Sequence, residues 1–386
     1  MPSFFIAHRR TLLIAEGVIF VLLALAAFLH IWRPQTTLAQ HIARCDGEGT
    51  RKQQCYGELV LSEANAKGIG AGLDALGALY VHDQEFASYC HGNTHELGKM
   101  AYTYFVAGKD ISLSPKTSYC GFGFFHGFIE ELMSESGDLS QARKFCEYVD
   151  SKLQSELKGT SFACYHGIGH GVVDGTDTAK WGNASLFIAD GLRICETLGD
   201  TDQHSERCAS GVFNALAIAY MDPKYRLSAN PKDPFAICRL QDKPIVRKAC
   251  YDQMNGYVDG TSATFRDALN VTYKTAEAAY AEVAIHSVAA YESINALAMG
   301  GDLLTYVKDC GTLPENLSTQ CAQGFAEGLI ETGKPGAEYV SAIDACARSG
   351  TLAHTCFHGV ATSVHDRLPG AQQDAACTEI GKAGGQ

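Results

Sequence analysis

The chain contains no Cys-x-x-Cys pair, no glycine-rich loop ending in Lys-Ser/Thr, no His-Glu-x-x-His and no long basic run. Each absence removes a class of function. Without Cys-x-x-Cys, zinc ribbons, thioredoxin-type redox motifs and covalent haem attachment lose their main signature. The block Gly121-Phe122-Gly123-Phe124-Phe125-His126-Gly127 lacks the P-loop ending and follows no predicted strand, so nucleotide-binding readings fail. His95-Glu96-Leu97-Gly98-Lys99 opens like the zinc-protease helix but has no second histidine. A net charge of −12 without a basic stretch argues against a nucleic-acid partner. Strand signals are also scarce, with no sustained alternation and few runs of Val, Ile and Thr.

Cysteine, by contrast, is abundant. Fifteen cysteines in 386 residues are unusual for a reduced cytosolic protein. They form spaced couples: Cys45/Cys55, Cys146/Cys164, Cys195/Cys208, Cys238/Cys250, Cys310/Cys321 and Cys346/Cys356. Cys90 and Cys120 make a further couple and Cys377 is left over, like the first cysteine of a unit whose second half is missing. Such couples read as disulfides formed outside the cytoplasm. The N-terminus agrees with export. His8, Arg9 and Arg10 precede an apolar run of 21 residues, Thr11 to Ile31, followed by Trp32 and Arg33. That length crosses a bilayer core, and the flanking charge favours a cytoplasmic start. Residues 1–10 are thus expected to be cytoplasmic, 11–32 a signal-anchor, 33–380 an extracytoplasmic, periplasmic or luminal domain, and 381–386 a flexible tail. The membrane is the partner this segment implies. Ala24-Leu25-Ala26 supports a competing reading as a cleaved signal peptide.

The couples share one setting. The first cysteine lies late in an apolar-periodic segment, a polar connector follows, and the second cysteine opens a glycine-rich helical segment. Second cysteines at 120, 164, 208 and 250 recur every 42–44 residues, a period that suits stacked helix pairs. The interval of 71 residues before Cys321 holds an added helical stretch, Thr275 to Met299. The fold expected is all-α: disulfide-stapled helix-pair repeats, as an open solenoid or a closed α/α ring.

Histidine marks three successive units. His91 and His95, and His166 and His170, are four residues apart and therefore share a helix face. His126 and Glu130 form a similar pair in the unit between, and Asp174 lies one turn beyond His170. His126 and His170 are both sixth after their cysteine, where later units carry Asn214, Gly256 and Glu327. Stacking sets equivalent positions side by side, so the three units can bring their imidazoles to one centre. Imidazole and carboxylate together suit zinc, copper, iron, nickel or manganese. The expected ligands are His91, His95, His126, His166 and His170, with Glu130 or Asp174 as ligand or acid/base. If an enzyme, the protein would use metal-activated water or metal redox chemistry.

Other readings use the same residues differently. The glycines and histidines serve helix packing in a non-catalytic scaffold that binds a peptide, protein or glycan. Glu130, Glu131, Asp174, Glu327 and Glu331 include candidates for a carboxylate acid/base pair. Cys90 beside His91 is the one place to look for a Cys/His nucleophile. His354, His358 and His365 share a helical face and would approach the first cluster only if the repeats close.

Overall fold

Helix follows helix along the chain, as the apolar periodicity predicts. The computed structural model describes residues 37–153, 160–174, 178–198, 201–334, 336–368 and 370–384, and no strand occurs among them. The apolar run at 11–32 lies outside the described residues. Among the described residues no helix is long and apolar enough to cross a membrane.

Contacts divide the chain into a first unit, Met1–Lys52, and a second, Gln53–Gln386. The described part of the first contains helix α1 (Leu38–Asp46), whose N-terminus is closed by a reciprocal capping box between Thr37 and Gln40. The second unit opens at the second residue of α2 (Lys52–Lys67) and continues with α3 (Ile69–His82), α4 (Ala87–Val106) and α5 (Gly123–Ser136). Helix pairs follow: α6 (Leu139–Leu153) with α7 (Thr160–Asp174), and α8 (Ala184–Leu198) with α9 (Asp202–Met221). The next pair joins the short α10 (Ala236–Arg239) to α11 (Pro244–Gln253), which α12 (Asn255–Thr261) extends. The long cysteine interval is filled by α13 (Phe265–Thr275) and α14 (Ala281–Ala298). The chain ends with α15 (Leu303–Cys310) and α16 (Glu315–Glu331), α17 (Val340–Ala347) and α18 (Ala353–Arg367), and α19 (Gly370–Lys382).

The disulfides bind the two helices of a pair, as the cysteine spacing predicts. Cys146–Cys164 joins α6 to α7, Cys195–Cys208 joins α8 to α9, and Cys238–Cys250 joins α10 to α11. Cys310–Cys321 and Cys346–Cys356 do the same for the last two pairs. Cys45 and Cys55 are also disulfide-bonded, whereas Cys377 is free and exposed on α19. These bonds are the mark of an oxidising, extracytoplasmic or secreted setting.

The second helix of each pair belongs to an inner succession, in which α4 packs on α5, α5 on α7, α7 on α9, α9 on α11 and α14 on α16. Close approach here depends on missing side chains. A Cβ on Gly127 would lie 1.9 Å from the carbonyl oxygen of His95, and one on Gly211 would lie 1.9 Å from that of His166. Gly324 stands in the same relation to His286, at 2.1 Å. Each time, a glycine admits the backbone of a histidine on the preceding inner helix. The chain also returns on itself. Tyr80 on α3 donates to the Thr332 carbonyl at 2.6 Å, Gln84 donates to the Leu297 carbonyl at 2.8 Å, and α14 touches α4. An open solenoid lacks such a return.

Candidate metal centre

Helical spacing turns His91 and His95 to the same face of α4, and their Nε2 atoms meet at 3.0 Å. The other nitrogen of each ring is already committed. His91 Nδ1 lies 2.7 Å from the Cys120 carbonyl oxygen, which can only accept, so this nitrogen carries the proton. His95 Nδ1 lies 3.2 Å from the Glu130 carboxylate and likewise donates. Two neutral rings so held turn bare Nε2 lone pairs towards each other. A metal ion placed between them would be bound by both. Ring tautomers fixed by carbonyl or carboxylate acceptors are the usual support of metal-bound histidine.

Strained backbone holds the Cys120 carbonyl in place. Cys120, Gly121 and Phe122 have φ of 60°, 66° and 62°, left-handed values that cost the two non-glycine residues about 1–3 kcal/mol each. The Cys90–Cys120 disulfide secures this turn to α4 one residue before His91. The same bond removes Cys90 as a nucleophile, so the Cys/His reading fails.

His126, on α5, completes the group. Its ring stands edge-on to both His91 and His95, with centroids 5.4 Å away in each case. Its Nδ1 is buried and has no hydrogen-bond partner. One ligand atom from each of His91, His95 and His126 falls within 4.8 Å of the others, a set that can hold a metal ion. The rings of His166 and His170 stack on that of His126, with centroids 5.0 and 5.4 Å away. His166 Nδ1 meets Ser210 Oγ at 2.8 Å. That hydroxyl donates to the Arg207 carbonyl, so it accepts from the ring and leaves Nε2 bare. His170 Nε2 meets Asn214 Oδ1 at 2.8 Å, and Asn214 is oriented in turn by Gln253.

The electrostatics favour the neutral form of four of these rings, those of His91, His126, His166 and His170. His91 is exposed along part of its surface, but its ring occupies a recess among other imidazoles. Desolvation there, reinforced by His95, lowers its pKa to about 4. Burial likewise lowers His170 to about 4, and pushes His126 and His166 well below the ordinary histidine value with help from their neighbours. Burial acts to raise the Glu130 pKa, but the His95 hydrogen bond and nearby positive charges outweigh it, so Glu130 stays ionised. Neutral imidazoles around one carboxylate are the protonation states a divalent cation requires.

The five histidines singled out by spacing thus meet in one cluster, with Glu130 bonded to it. The Asp174 side chain lies outside the described residues. His354, His358 and His365 are exposed on α18, where His358 meets Gln323. Among the carboxylates, Glu327 belongs to another assembly. It accepts from His286 Nε2 at 2.8 Å and pairs with Arg367, which also reaches Glu331 at 3.3 Å. Burial works to raise the Glu327 pKa, but His286 and Arg367 overcome it and hold the group at about 2.

Sequence reasoning missed Ser210, Gln253, His286 and Arg367. Ser210 was legible in principle, being second after Cys208 as His166 is second after Cys164. His286 had no such signal, because α14 carries no cysteine. Comparison with protein-family models, curated proteins and solved structures finds no match to this chain.

Proposed function

We propose that this protein is an extracytoplasmic, membrane-anchored metalloprotein in which His91, His95 and His126 hold one transition-metal ion for hydrolytic chemistry. The observation that carries the reading is the pair of Nε2 atoms 3.0 Å apart, each on a ring whose other nitrogen is fixed by an acceptor. Both nitrogens can lie at about 2.0–2.1 Å from a single ion, and a third imidazole leaves a coordination position open, as in catalytic zinc sites. An ion so held supplies Lewis acidity and brings the pKa of water towards neutrality. Zinc fits the all-nitrogen donor set, and copper, iron or manganese are the alternatives.

The chain's own residues do the positioning. The Cys120 carbonyl and the Glu130 carboxylate set the tautomers of His91 and His95 and fix their ring planes. Glu130 is therefore a positioning residue in this reading. Anchoring falls to the apolar run at 11–32, which leaves the disulfide-bonded domain on the oxidising side of the membrane.

The test is zinc titration of protein purified without a histidine tag, beside His91→Ala and His95→Ala variants. Wild type should take up zinc stoichiometrically, and each variant should lose at least 100-fold in affinity while keeping its helical circular dichroism. Folded variants that bind zinc as wild type does would overturn the proposal.

A further inference from the structure

The histidines of α7 have no role in a single-ion centre. The donor atoms of His166 and His170 stand outside the group formed by His91, His95 and His126. Yet they are prepared in the same way. His166 gives its Nδ1 proton to Ser210, whose hydroxyl is engaged with the Arg207 carbonyl. His170 gives its Nε2 proton to Asn214. Each ring keeps one bare nitrogen, His166 Nε2 and His170 Nδ1. Both tautomers are fixed by acceptors on the next inner helix, α9.

The stacking decides how these nitrogens can be used. His126 is tilted only 29° from His166 and 24° from His170. Lone pairs of an imidazole lie in the ring plane, so nearly parallel rings direct them side by side and not towards a common point. Side-by-side donors suit two neighbouring ions. Glu130 stands where the two histidine pairs adjoin. It accepts from His95 at 3.2 Å, and its Cα would be 3.3 Å from a Cβ on Gly171, the residue after His170. Its negative charge acts on His170 as well as on His95. Arg207 places a positive charge near His166, so that carboxylate is the compensating group at hand.

We infer that His166 and His170 hold a second divalent transition-metal ion beside the first, which makes the centre dinuclear with Glu130 between the two histidine pairs. The inference rests on the reading of His91, His95 and His126 as a metal site. Paired ions of this kind stand about 3.5–4 Å apart in two-metal hydrolytic sites.

The experiment is copper(II) titration of the purified full chain, with stoichiometry read by calorimetry and ion proximity by electron paramagnetic resonance. Wild type should bind two equivalents and show a half-field signal from coupled ions. His166→Gln with His170→Asn should bind one equivalent, lose the half-field signal and keep the spectrum of an isolated site. Should the double variant not fold, His170→Asn alone serves, with binding of the second equivalent weakened at least 100-fold. One equivalent in wild type overturns the dinuclear inference and leaves the first site standing. No copper at all removes both. Two equivalents in a folded double variant place the second ion elsewhere and also overturn the inference.

Discussion

At the residue scale, the site depends on where protons are parked. His95 can present a bare Nε2 only while Glu130 accepts from its Nδ1. Glu130→Gln keeps the shape but weakens that hold. Loss of such a supporting group costs 10–100-fold in metal affinity, so zinc titration of this variant should show a dissociation constant raised by about that factor. An unchanged constant would mean that the imidazole is fixed by packing alone. The second polar assembly makes a pH prediction. Glu327 is depressed from 4.5 to about 2 by partners it has only in the folded chain. Its contribution is present above the ordinary carboxylate value and is lost as pH falls from about 4.5 towards 2. With the side chain 28% exposed, the contribution is at most about 3 kcal/mol. Glu327→Gln should therefore be less stable than wild type at pH 7, with the gap closing in acid. Denaturant unfolding at both pH values measures it, and a gap that stays constant would refute the linkage.

At the element scale, what brings the histidines together is the spacing of the inner helices. The Cβ of alanine at position 127 would lie 1.9 Å from a backbone oxygen, and backbone cannot swing aside as a side chain can. Gly127→Ala should lower stability by about 1–3 kcal/mol or more, and should weaken zinc binding because α5 would be pushed away from His95. Gly92 provides the contrast. It sits in α4 beside His91 with open space where its Cβ would be, so Gly92→Ala should stabilise by about 0.5–1 kcal/mol. Thermal melts of the two variants should move in opposite directions.

Helix pairs and staples were legible in the sequence because both are periodic: apolar spacing marks each helix and cysteine spacing marks each bond. The histidine cluster was legible because residues four apart share a face and equivalent positions of stacked units adjoin. Partners that follow no repeat were not legible. Asn214 occupies the position of a histidine, and reads from sequence as its replacement, yet in the fold it is the acceptor that orients His170. Arg367, near the end of α18, and His286, on a helix outside the cysteine pattern, meet Glu327 only through tertiary contact.

At the scale of the whole molecule, short staples and a few long-range contacts share the work. A disulfide closing a loop of this size contributes about 3 kcal/mol by restricting the unfolded chain. Removing the Cys195–Cys208 bond, which spans 13 residues, through paired serine substitutions should cost about that much. The return of the chain on itself is tested by Tyr80→Phe, which deletes a buried hydrogen bond to the Thr332 carbonyl across 252 residues of sequence. A loss of about 1–3 kcal/mol in denaturant unfolding is expected, because that carbonyl is left without its donor. No loss would show that the contact does not contribute.

At the centre of the site the Nε2 atoms of His91 and His95 face each other. X-ray absorption at the zinc edge of loaded protein reads the ligands themselves. The account predicts a shell dominated by histidine nitrogen at about 2.0–2.1 Å, with the multiple scattering of imidazole and no sulfur. A shell of oxygen or sulfur ligands, or zinc that dialysis removes completely, would contradict it.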